Sequence, residues 1–121
     1  MNEASQRNKR NRYRGKNFEL RVAKLIHGVV VGRSKAVKIE SPTFLEQYIS
    51  IDPQHPPDVV NNWLSVECKY YTELPVWLTK LMAQTKRNCP DGLTPVGWVG
   101  DRGERNRYVI MFEQDFLDLH C

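Results

Sequence analysis

Strict alternation in the middle of the chain sets the tightest limit on its fold. In an extended strand successive side chains point to opposite faces. Across Leu64-Ser65-Val66-Glu67-Cys68-Lys69-Tyr70, Leu64, Val66, Cys68 and Tyr70 then share one face that suits a core. Ser65, Glu67 and Lys69 share the other, polar face. Just upstream, Asn61-Asn62 suits a tight turn, because asparagine tolerates positive φ. A two-residue loop at Asn62-Trp63 pairs residue 61 with 64 and sets Asp58 opposite Glu67. A turn shifted by one residue still leaves the two carboxylates near each other.

Two carboxylates, Asp58 and Glu67, with the backbone carbonyl of Cys68, form a hard-oxygen site of the kind that takes Mg²⁺, with Mn²⁺ as a substitute. Lys69 reaches the same face. A lysine beside a cation and a phosphate can orient an attacking water and offset charge in the transition state. The plainer reading of the same residues is a solvated edge hairpin with a surface Glu–Lys pair.

Charge is unevenly distributed. Residues 1–16 carry Arg7, Lys9, Arg10, Arg12, Arg14 and Lys16 against Glu3, a net +5. The remaining twelve basic and thirteen acidic residues give −1, so the whole chain's +4 resides in this segment. Rich in Asn, Ser and Gln and poor in apolar residues, it reads as a flexible basic arm that is disordered when free. Such an arm suits contact with a phosphate backbone. Arg33 and Lys35 begin a second basic cluster that continues to Lys38.

The rest, residues 17–121, has the length and the 40% hydrophobic content of a single domain. No apolar run approaches the roughly 18 residues of a membrane span, and no apolar segment follows the basic N-terminus as in a secretory signal. Cys68, Cys89 and Cys121 are odd in number and widely spaced, which points away from a disulfide framework or zinc site. An intracellular, cytoplasmic location fits. His27, His55 and His120 lack metal-ligand spacing and read as ordinary solvated or packing residues.

Helical spacing of Phe18, Val22, Leu25 and Ile26 predicts a helix over Asn17–Ile26, ended by Gly28. Glu19 lies off the centre of that stripe, facing either the acidic site or water. Val29–Val31 reads as a short buried strand. Residues 33–57 fit an additional hairpin, a short helix or a loop. Pro75 opens a helix running to about Asn88, with Trp77, Leu78, Leu81 and Met82 on its apolar face and Lys80 and Gln84 on another. Two strands over 96–99 and 107–112 are joined through Asp101–Glu104, and a helical turn or two covers 115–119. The order predicts an α/β domain with a mixed central sheet flanked by helices.

With these elements in place, the chain resembles the PD-(D/E)XK nucleases, and within them the small Holliday-junction resolvases of archaea and phages. The resemblance covers roughly residues 14–112. It rests on Arg14-Gly15-Lys16-Asn17-Phe18-Glu19, Pro57-Asp58, Glu67-Cys68-Lys69 and Gln84. It implies a restriction-endonuclease-like core and a structure-selective, Mg²⁺-dependent endodeoxyribonuclease acting on branched DNA such as a four-way junction. Flaps, forks or duplex DNA are alternative substrates, and a non-catalytic nucleic-acid-binding module is a further alternative. In the family pattern Asp58 and Glu67 are metal-binding carboxylates completed by the Cys68 carbonyl, and Lys69 is the catalytic lysine. Glu19 supports the metal shell, through water, and Gln84 orients active-site groups. Ser34 stands near a serine that archaeal members use, in surroundings that do not match a clear motif. The resemblance implies a homodimer, whose two-fold axis suits paired nicks on a nearly two-fold junction, and a prokaryotic or phage-infected cell.

Overall fold

The computed structural model describes residues 3–32, 35–39 and 47–120. In chain order the elements are α1 (Glu3–Leu25), β1 (Val29–Val30), β2 (Ala36–Ile39), β3 (Gln47–Ser50), β4 (Val59–Val60), β5 (Ser65–Val66), α2 (Val76–Asn88), β6 (Val96–Gly100), β7 (Arg107–Met111) and α3 (Glu113–His120). They form two compact units, Met1–Tyr70 and Tyr71–Cys121. The class is α/β, as expected, but the expected mixed central sheet is not formed among the described residues. Three separate antiparallel sheets take its place, ordered β1-β4-β5, β2-β3 and β6-β7. Two-residue strands such as β1, β4 and β5 offer too few ladder bonds to carry a wide sheet.

In the first unit, α1 begins at Glu3 rather than Asn17, so the basic segment is helical here instead of an irregular arm. Arg, Lys, Gln and Ala favour helix, no proline interrupts residues 3–25, and Glu3 and Lys24 oppose the helix dipole at the two ends. The helix closes in a Schellman motif. The amide of Gly28 donates to the Ala23 carbonyl at 2.7 Å, and that of His27 to the Lys24 carbonyl at 3.5 Å. The left-handed residue is His27, with φ 53°, and not the expected Gly28. Glycine at 28 serves close approach instead. A β-carbon there would stand 2.9 Å from both Val59 Cγ1 and the Val60 carbonyl oxygen.

Strand β4 is covered on both sides: Val59 is 0% exposed and Val60 is buried. Val60 joins Val31, Val37, Ile39 and Ile51 in the core of this unit. Segment 33–57, open to three readings from sequence, contains a hairpin with Ala36 opposite Ser50 and Ile39 opposite Gln47. Its alternation is plain in β2, where Val37 and Ile39 are buried and Ala36 and Lys38 exposed. Arg33, Ser34, Pro42, Phe44 and Leu45 lie outside the described residues.

In the second unit Pro75 is the cap residue before α2, one position earlier than expected. The helix packs on β6, where Gly97 admits it closely. A β-carbon at Gly97 would stand 2.9 Å from Leu81 Cδ2. Met82 is buried and Leu78, Leu81 and Thr85 partly so, but Trp77 is 56% exposed and lies outside the buried face. The apolar stripe is therefore rotated from the expected one, following 78, 81, 82 and 85 at helical spacing. Strands β6 and β7 pair from Val96 opposite Met111 to Gly100 opposite Arg107. Among the described residues no helix is long and apolar enough to cross a membrane.

Candidate active site

The β4–β5 hairpin has the register expected from its turn. Val59 pairs with Val66 and Val60 with Ser65, and the Asn61 amide donates to the Leu64 carbonyl at 3.0 Å across the Asn62-Trp63 loop. The ladder ends at the Val59–Val66 pair, where the Asp58 amide also bonds to Val66, so Asp58 is not paired with Glu67 in it. The turn does not use positive φ at either asparagine; among the described non-glycine residues only His27 and Glu104 have it. Instead the Asn61 carboxamide oxygen accepts from the amides of Trp63 and Leu64 at 2.9 and 2.6 Å. Its Nδ2 donates to the Ile26 carbonyl at 3.1 Å, tying the turn to the end of α1. Asn61 is 4% exposed, so these bonds satisfy a polar group that would be costly to bury alone.

At the open end, Asp58 is fixed at three points. Its amide donates to the Val66 carbonyl at 3.0 Å, and its carbonyl accepts from the Val31 amide at 3.1 Å. Its side-chain Oδ2 accepts from the Cys68 amide at 2.7 Å. That last bond replaces backbone pairing. Strand β5 ends at Val66, short of the expected run to Tyr70. The alternation outlasts the strand: Glu67 and Lys69 are exposed while Val66 and Cys68 are partly buried. Tyr70 is half-exposed rather than in a core, with its ring 5.5 Å from that of Phe18. The Arg21 guanidinium lies 5.9 Å from the centre of the Phe18 ring.

Glu19 comes from α1 to the same place. Its carboxyl shares a hydrogen bond with Asp58 and is pushed above the usual glutamate range. Partial burial is the main cause, followed by the Asp58 charge, the shared hydrogen bond and the Glu67 charge, with Lys16 opposing. The Cys68 thiol is likewise pushed up, by burial first and then by Asp58, Glu19 and Glu67. Glu19, Asp58 and Cys68 thus neighbour one another, and the charge of Glu67 acts on both Glu19 and Cys68. Among the described residues no three His, Cys, Asp or Glu side chains stand as a ready metal cage. This donor set fits Mg²⁺ or Mn²⁺, which bind through one or two carboxylates, keep several waters and share the substrate's phosphate. Crowded carboxylates at an exposed hairpin end also have an electrostatic reason to take a cation.

The other expected site residues lie on other elements. Gln84 is exposed on α2, in the second unit. Arg7, Lys9, Arg10, Arg12, Arg14 and Lys16 are exposed along α1. Lys35 is exposed before β2, with its carbonyl accepting the Ile51 amide at 2.7 Å. Arg33 and Ser34 are outside the described residues. Cys68 and Cys89 are free thiols, and His55 pairs with Asp52 at 3.2 Å on the surface. Asn61 and the Cys68 amide were not among the expected site residues. The doubled asparagine signals a turn, but nothing in the sequence marks an amide as the clamp on a carboxylate. No family model, curated relative or solved structure matches the chain.

Proposed function

We propose that the chain is a divalent-metal-dependent endodeoxyribonuclease of the PD-(D/E)XK type, with a restriction-endonuclease-like core, acting on branched DNA as a homodimer. The observation that carries this reading is the carboxylate cluster. Glu19 is hydrogen-bonded to Asp58 with Glu67 in Coulomb range, and the Cys68 amide clamps Asp58. A solvated edge hairpin gives no reason for Glu19 of α1 to meet Asp58, where repulsion between the two pushes the Glu19 carboxyl up.

Asp58, Glu67 and the Cys68 carbonyl would hold the cation, with Glu19 supporting them. A bound Mg²⁺ would polarise a phosphoryl oxygen and lower the pKa of a water. The three backbone and side-chain bonds at Asp58 preset the position of its carboxylate, so little reorganisation is left for the reaction. Lys69, exposed beside Glu67, supplies a positive charge to the phosphate and orients the attacking water. The cations of α1 hold the phosphate backbone near this end of the hairpin. Lys16, whose charge reaches Glu19, joins the two regions.

Purified protein incubated with Mg²⁺ and end-labelled four-way junction, flap, fork and linear duplex tests this. The junction is expected to be cut by paired nicks, with loss of cutting in chelator and in the Glu67→Ala and Lys69→Ala variants. Undiminished cutting by both variants would reject the site. Equal cutting of linear duplex would reject branched DNA as the preferred substrate.

A further inference from the structure

The helical form of the basic segment has a consequence beyond its charge. At about 100° per residue, Arg7, Arg10 and Arg14 form one row along α1, and Lys9, Arg12 and Lys16 form a second. The rows lie about 160° apart around the axis. All six side chains are exposed, and Tyr13, 70% exposed, projects between the rows. A membrane surface or a single strand would be met by one basic face. Two opposed rows suit two walls of phosphate. The second row continues into Glu19 at the same spacing, and the Lys16 charge acts on that carboxyl. One wall is therefore continuous with the candidate active site.

We propose that residues 3–16 dock as a helix in the major groove of duplex DNA. Lys9, Arg12 and Lys16 hold the strand that leads to the carboxylate cluster, and Arg7, Arg10 and Arg14 hold the opposite strand. A helix is roughly 10–12 Å across, which the B-DNA major groove admits. The deep, narrow groove of an RNA duplex does not. Gly15 is the joint. It sits between the exposed basic turns and the turns that pack through Phe18, Val22 and Ala23, and a β-carbon there would meet nothing within 4 Å. Helix through that point is weakened by glycine alone. The exposed turns lack a packed face and are marginal by themselves, so docking stabilises them. The choice of DNA rests on the proposed nuclease reading. The docking is separable from it, because binding is measured with chelator present and no cleavage.

The test compares affinity for duplex DNA in the full-length wild type, Gly15→Pro and Gly15→Ala, which all keep the six cations. Gly15→Pro is expected to bind about tenfold or more weakly, and Gly15→Ala about fivefold more tightly. Circular dichroism of the wild type should show a gain in helix on adding duplex. Two further variants, Arg7→Gln/Arg10→Gln and Lys9→Gln/Arg12→Gln, remove charge from one row each without touching the joint. Each is expected to reduce the slope of log affinity against log salt by about 2. The proposal is overturned if Gly15→Pro, shown folded by its thermal transition, binds duplex as tightly as wild type, since the segment then acts as an extended polycation. It is equally overturned if either double variant leaves the slope unchanged. Binding of single-stranded DNA or duplex RNA as tight as that of duplex DNA would also overturn it.

Discussion

Two aspartates, each bound to a β-hairpin, meet opposite surroundings. Asp101, in the β6–β7 connection, is surrounded by donors. It accepts from Asn106 Nδ2 at 2.8 Å and from the Arg105 amide at 2.9 Å. Its carboxyl is held below the usual range, chiefly by the Asn106 side chain. It completes a turn between five-residue strands that a regular ladder already holds together. Asp58 lies at the open end of two-residue strands, takes one amide, and is hydrogen-bonded to a second carboxyl. The first arrangement satisfies a charge, and the second concentrates charge. Folding alone accounts for the Asp101 turn. The charge on Glu19 beside Asp58 is held at a cost to folding, which a bound cation would relieve.

Activity should separate the two aspartates most. Asp58→Ala is expected to lower Mg²⁺-dependent cleavage by at least about 100-fold, or roughly 2.7 kcal/mol of barrier. Asp101→Ala should leave it within about a factor of two. Parallel single-turnover assays decide this, and equal losses would erase the distinction. Stability comes next. Asn61→Ala removes three hydrogen bonds from a buried side chain, and urea unfolding should register a loss of about 2–3 kcal/mol. That loss would show that side chains, more than strand length, secure the β4–β5 hairpin.

A smaller effect is expected at Glu19. Its raised pKa means that, without cation, the folded state is favoured below the ordinary value of 4.5, and that this contribution is lost as pH rises through the raised value. Glu19→Gln should therefore raise the thermal midpoint at neutral pH in chelator and flatten this pH dependence, as read by calorimetry. Asp101 has the opposite sign and the smallest effect. Its depressed pKa favours the folded state above the ordinary value of 3.8, and that contribution disappears as pH falls through the lower folded value. Asp101→Asn should remove only this shallow acid dependence.

Much of the hairpin was legible in the sequence because turn chemistry and two-residue periodicity agree there. Asn61-Asn62, the alternation through Lys69 and the pairing of Asn61 with Leu64 follow from local rules. The helix over residues 3–16 was not legible, because it has no apolar stripe and only intrinsic preference marks it. Trp77 was misassigned because a one-residue rotation of a helical stripe exchanges a buried position for an exposed one. The single mixed sheet failed for a related reason: apolar runs show that strands exist, not which partners they choose or how many residues pair. The meeting of Glu19 with Asp58 joins residues far apart in the chain. Helical position left Glu19 facing either the acidic site or water, while the Cys68 amide carries no side-chain signal at all.

A cation bound beside Asp58 should be visible without any cleavage. Paramagnetic broadening of backbone amide signals on titrating Mn²⁺ into the isotope-labelled protein reads such binding residue by residue. The amides of Asp58, Glu67, Cys68 and Lys69 should broaden first, those of Asp101 to Asn106 should persist, and chelator should restore the spectrum. Broadening that begins at Asp101, or that spares the β4–β5 hairpin altogether, would contradict the claim.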